Sequence, residues 1–212
     1  MATFGDLKAE ISDDIDDPNN EYGSQIASAV LAAIRYCERT QFYFNETREK
    51  TFNTVIGQQW YDKDDLADIA TLIRIQRAYV TVNGNTTDLL LISPDEIEEL
   101  SDNTAATGQP YGYCVFGQRL RLYPIPNAVY HVRLQLAPYR LGMPEKDGDE
   151  TAWTTEAYDM IKARAKYIIA KNTLKDPAIA AEALNDFQDQ FQSLKAETSS
   201  RLGTGRIVPT SF

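Results

Sequence analysis

Ala180, Ala183, Leu184, Phe187, Phe191 and Leu194 form the strongest periodic stripe in the chain. Apolar residues at that spacing commit the segment to an amphipathic helix, and its apolar face must be covered by other helices. Asp176-Pro177 supplies a cap and a first-turn proline, which sets the start of the helix. Three further segments carry the same period. They are Phe4, Leu7, Ile11 and Ile15; Ile26, Val30, Ala33, Ile34 and Cys37; and Tyr158, Ile161, Ala165 and Ile168. All lie near the two ends of the chain, so the ends must fold against each other.

Local signals agree with these helices. Thr3 and Asp6 form a capping-box pattern, and Asp16-Asp17-Pro18-Asn19-Asn20 ends the first helix, with Asn suited to cap the next. The second helix is expected over about residues 21–40. Lys162, Arg164, Lys166 and Lys171 fall largely off the apolar stripe of their helix, which predicts a solvated or intersubunit face, not a DNA site, for Arg164, Lys166 and Lys171.

The period changes in the middle. Thr51–Ile56 reads as extended, and Asp62, Asp64 and Asp65 cap a short helical piece at Leu66–Ala70. Ile73–Val82 and Leu89–Ile92 read as strands joined by Asn83-Gly84, a hairpin turn whose central residues need positive φ. Ser93-Pro94-Asp95-Glu96 opens a short helix ending near Asp102. Gly112–Phe116, Arg119–Tyr123 and Val129–Ala137 follow as strands. In the last, Tyr130, Val132, Leu134 and Leu136 face one way and His131, Arg133 and Gln135 the other, as an antiparallel sheet with one wet face requires. The expectation is an α+β protein. Residues 1–44 and 146–198 make a helical bundle, residues 45–145 an inserted antiparallel β-rich subdomain, and residues 199–212 an extended C-terminal tail.

Charge limits the function. The net charge is −10, and residues 1–70 carry 14 acids against 6 bases, a balance of −8. A general nucleic-acid binder needs clustered Lys and Arg, so the acidic chain argues against one. Two distant cysteines, Cys37 and Cys114, read as reduced thiols, and with no export segment the chain reads as a cytosolic product. No phosphate-binding glycine loop or nucleophile elbow occurs. The acidic run at Asp13–Asp17 lacks the Gly and Glu of a calcium loop and reads as a solvated helix end. His131 has no catalytic partner near it in sequence, and no cofactor or metal site is expected. "QFYF" at 41–44 reads as a helix end packed over the sheet.

The tail differs from a polar linker. Residues 199–212 hold Arg201 and Arg206 but no acid, and Ile207, Val208, Pro209 and Phe212 follow two glycines, Gly203 and Gly205. Such a segment is detached from the helix before it and equipped to dock.

The order "AIRYCERTQFYFNE", "ISPDEIEEL", "GQPYGYCVFGQRLRLYPIPNAVYHVRL", "ARAKYIIAKNTLKDP" and "TGRIVPTSF" resembles the head-to-tail adaptor (connector) proteins of short-tailed double-stranded DNA bacteriophages. The resemblance covers almost the whole chain. It implies a non-enzymatic virion protein of the neck, assembled in the host cytoplasm as a dodecameric ring under the portal vertex. Such a ring extends the DNA channel and offers an attachment surface for the tail nozzle or fibres. Genomic DNA passes through it without specific binding, and no membrane is involved. In this family the C-terminal segment reaches the portal protein. Arg206, Ile207, Val208, Pro209 and Phe212 are then the portal-binding residues, with Gly203 and Gly205 as the tail hinge. Two alternatives stand beside it: a nucleic-acid-binding packaging component such as a small terminase subunit, and a cell-wall hydrolase using a carboxylate pair.

Overall fold

The computed structural model describes residues 2–103 and 106–203. The chain divides into two compact units: Glu46–Arg140, and the two segments that flank it. The protein is α+β, as the periods predict.

The helical unit contains α1 (Phe4–Asp14), α2 (Gly23–Cys37), α4 (Ala152–Thr155), α5 (Tyr158–Ile169) and α6 (Pro177–Leu202). Helix α1 starts at the Thr3 box: Asp6 N–H donates to Thr3 Oγ1 at 3.1 Å, and Thr3 N–H donates to Asp6 Oδ2 at 2.8 Å. The chain between α1 and α2 turns through two left-handed residues, Asp16 and Asn20. The expected asparagine cap is absent there. The buried Asp17 carboxylate accepts from Glu21 N–H at 2.8 Å and Tyr22 N–H at 2.9 Å. Part of the acidic run is therefore a structural anchor and not a solvated end.

Helix α5 is the hub of this unit and packs against α1, α2, α4 and α6. It widens into a looser turn at Ala170–Leu174, closed by the left-handed Lys175. Asp176 then caps α6, accepting from Ala178 N–H at 2.8 Å and Ile179 N–H at 3.1 Å. Residues 199–202 belong to α6, so the helix runs past residue 198, where the sequence placed its end. Gly203 is the first extended residue.

The "QFYF" segment lies in the helical core and not over the sheet. Phe42 and Trp153 are fully buried, and Trp153 meets Phe42 and Phe44 edge-on at 6.3 and 5.1 Å. The buried Asn45 holds the segment, accepting from Phe42 N–H at 2.7 Å and donating to Thr40 O at 2.9 Å. Leu141 and Met143 also pack against this core, which explains why the helical unit resumes at residue 141.

The β unit contains β1 (Thr47–Asn53), β2 (Trp60–Tyr61), β3 (Ile75–Val82), β4 (Asn85–Leu91), α3 (Pro94–Asn103), β5 (Thr107–Gly108), β6 (Gly112–Phe116), β7 (Arg119–Tyr123), β8 (Ile125–Pro126) and β9 (His131–Leu136). Seven strands form one sheet in the order β1-β9-β3-β4-β6-β7-β2, and β5 pairs with β8. The Asn83-Gly84 turn is the one expected, and Gly117-Gln118 makes a second between β6 and β7, with positive φ at all four residues. On β9, Val132, Leu134 and Leu136 are buried and join Val80, Leu120 and Leu122 in the sheet core.

Two pairings depart from the antiparallel expectation: the short β5–β8 pair is parallel, and so is one pairing within the seven-stranded sheet. Strands β4 and β6 run parallel, with Leu90 opposite Gly112 and Leu91 opposite Tyr113. The helix between them, α3, is a crossover connection, which returns the chain in the same direction. After Leu91 the chain leaves for α3, so β6 has no strand partner on that side beyond Tyr113 among the described residues.

Candidate assembly interface

Nothing in the described residues converges as a reaction centre would. His131 is exposed on β9, its Nδ1 3.1 Å from Asn53 Oδ1. Both cysteines are buried, and burial pushes the Cys37 thiol up to about 12, far from a thiolate at neutral pH. No group of three or more His, Cys, Asp or Glu suited to a metal occurs among the described residues, and no helix among them is long and apolar enough to cross a membrane. The chemistry on offer is that of surfaces.

The first surface is the end of α6. Thr198 is buried; its hydroxyl accepts from Tyr43 N–H at 3.2 Å and donates to Leu194 O at 2.8 Å. The Arg201 guanidinium lies 3.7 Å from the centre of the Tyr43 ring and pairs with Glu197 one turn back. The Tyr43 hydroxyl donates to the Glu156 carboxylate; burial and this carboxylate raise its pKa to about 12. The point from which the chain continues beyond α6 is thereby pinned to the aromatic core. Gly203 N–H still bonds Ser199 O at 2.8 Å, and its φ of −71° is open to any residue. A β-carbon there would lie 2.8 Å from the Ser199 carbonyl oxygen, so glycine is required by close approach and not by backbone angle. Of the residues the sequence singles out, Gly203 is thus placed; Gly205, Arg206, Ile207, Val208, Pro209 and Phe212 lie outside the described residues.

The second surface is apolar and belongs to the β unit. A groove of about 190 Å³ is lined by Leu72, Ile73, Ile75, Leu91, Tyr113 and Val115. Leu91 is 70% exposed, and Leu90 and Phe116 nearby on β4 and β6 are 63% and 64% exposed. These strands are paired only in part, and their side chains are left uncovered. Sequence reading missed the groove, because a strand residue's exposure depends on which neighbouring strand stops short.

The third surface bears on the expectation of a solvated or intersubunit face and argues against full solvation. Arg164 does not point into solvent: its guanidinium sits 4.0 Å from the centre of the Tyr36 ring, 5.0 Å from that of Tyr167 and 5.1 Å from that of Phe187. Its Nε is buried and makes no hydrogen bond. Lys162 and Lys166 are also engaged, with Glu10 at 2.9 Å and Asp14 at 3.4 Å, which ties α5 to α1. Of the four bases only Lys171 is exposed, and it donates to the Tyr167 hydroxyl at 3.2 Å. Long basic side chains off an apolar stripe bury their stems and find partners on adjacent helices.

The described surfaces thus comprise a pinned helix end, an uncovered apolar groove and a cation caged by aromatic rings. The family model of the SU10 adaptor protein matches residues 2–209, and the chain belongs to this family of phage head-to-tail adaptors. The family is structural, and membership makes the protein a component of the phage neck that interacts with portal and tail components. No curated protein matches the chain.

Proposed function

We propose that twelve copies form a ring under the portal vertex, extend the DNA channel and present the surface to which the tail nozzle or fibres attach. The observation that carries this reading is the reach of the family match, which runs to Pro209 and so takes in the segment after α6. Gly203–Phe212 docks on the portal through Arg206, Ile207, Val208, Pro209 and Phe212, with Gly203 and Gly205 as its hinge. Burial of Ile207, Val208 and Phe212 yields roughly 1.5–3 kcal/mol each. Ordering ten residues costs roughly 1–2 kcal/mol each, so backbone hydrogen bonds to a groove or strand edge contribute as well. A single tail binds weakly, and many tails on one ring hold by raised effective concentration. The net charge of −10 supports a conduit that lets DNA pass without gripping it. Assembly takes place in the host cytoplasm.

Mixing the purified protein with portal rings tests this reading by mass and particle imaging. A second ring stacked on the portal is expected, formed from a protein that is monomeric or weakly associated alone. A stable large ring without portal, or no association with it, contradicts the proposal.

A further inference from the structure

The helical unit leaves charges of opposite sign unpaired on two different faces. On one face, Tyr36, Arg164, Tyr167 and Lys171 form a continuous series, each ring within 5.5 Å of the next cation. Tyr36 is 53% exposed at the end of α2, and Arg35 and Arg39 beside it are exposed without an ion-pair partner among the described residues. Arg164 and Lys171 have no carboxylate partner among them either. An acidic chain has ample carboxylates to neutralise four bases, yet among the described residues none forms an ion pair with these four.

The other face is a groove of about 260 Å³ between α5 and α6. Asp159, Asp186 and Asp189 line it, all exposed and all without an ion-pair or hydrogen-bond partner among the described residues. The lysines that share the groove, Lys162 and Lys166, are paired with Glu10 and Asp14 of α1. Its uncommitted charge is therefore negative.

We infer that these two faces dock on each other between neighbouring copies, the basic–aromatic face of one entering the acidic groove of the next. Two different patches that complement each other on one unit make a heterologous contact, which propagates and closes into a ring when the rotation allows. Tyrosine and arginine are the residue types that anchor interfaces, and the rings hold the Arg164 guanidinium in place before contact. The charges match a carboxylate-bearing partner, and the molecule carries that partner on its own surface. This inference rests on the ring reading, for which it names the contact.

Two charge-reversed variants test it, both at exposed positions outside the core: Arg39→Glu with Lys171→Glu, and Asp186→Lys with Asp189→Lys. Unchanged helical circular dichroism and thermal midpoint establish that each is folded. Assembly on portal rings is then followed by sedimentation and imaging. Each variant alone is expected to assemble roughly tenfold less well than the unaltered protein. An equimolar mixture is expected to recover, because the reversed face of each variant complements the reversed face of the other. Raised salt weakens assembly in every case that shows it. Normal assembly of either variant alone overturns the inference, and so does a mixture that fails to recover. Duplex DNA bound by the unaltered protein, and lost in Arg39→Glu with Lys171→Glu while assembly persists, assigns the face to nucleic acid and also overturns it. If the unaltered protein never assembles on portal rings, the ring reading itself fails.

Discussion

The two units expose opposite chemistry. Of the eleven large apolar side chains exposed among the described residues, nine lie in the β unit, so that unit is the one equipped for apolar contact. Tyr36 and Leu202 are the two in the helical unit, whose open faces otherwise display unpaired Arg39, Lys171, Asp186 and Asp189. The difference follows from how each fold is covered. Helices pack along their whole length and bury a full apolar stripe, which leaves the charged positions outside. A sheet built from short, partly paired strands leaves apolar side chains uncovered wherever a strand ends early. Family membership implies contacts with portal and tail components. In the proposed ring the charged faces serve the contacts between copies, and the apolar surface of the β unit is chemically distinct from them.

The interiors offer the largest effect by which to break this contrast. Trp153 is fully buried against Phe42 and Phe44, and Trp153→Ala is expected to destabilise the protein by ~3–5 kcal/mol, read from the denaturant midpoint. Phe116→Ser, at a ring 64% exposed, should stay within ~0.5 kcal/mol by the same measurement. Comparable losses at the two sites would show that Phe116 is covered within its own unit and is no free surface.

A smaller effect sharpens the account of the charged faces. The bond from Lys162 holds the Glu10 carboxyl below its ordinary 4.5, and the same bond raises Lys162 above its ordinary 10.5. A carboxyl with a lowered folded pKa adds stability above pH 4.5 that is lost as the pH falls through the folded value. A lysine with a raised one adds stability below pH 10.5 that is lost as the pH rises through its folded value. The Glu10 side chain is half-exposed and the pair is screened by solvent, so Glu10→Gln should cost only ~0–1 kcal/mol at neutral pH. The difference from the unaltered protein should vanish in acid. A difference that grows as the pH falls below 4.5 would contradict the pairing of α1 with α5.

The helices and hairpins were legible because their signals are local. The Thr3 box, the Asp176-Pro177 start and the Asn83-Gly84 turn each need only neighbours in sequence, and each stands where its residues put it. Contacts across the chain were not legible. Arg164 falls off the apolar stripe and reads as solvated or intersubunit, and nothing in the sequence signals that Tyr36 and Phe187 come from other helices to stack on it. Asp17 sits in an acidic run, yet the turn through Asp16 and Asn20 folds its carboxylate onto the start of α2. The parallel pairing of β4 with β6 depends on the crossover through α3, and strand direction leaves no mark on alternation. The apolar groove was hidden for the same reason.

The central claim is that the segment after the pinned end of α6 joins the protein to the portal. Deleting residues 204–212 tests it most directly, with melting temperature and co-sedimentation with portal rings measured on the same preparation. The account predicts a folded protein with an unchanged melting temperature that no longer joins the portal. Undiminished portal binding would place the docking surface elsewhere, and a lowered melting temperature would assign the segment to the protein's own core; either result contradicts the claim.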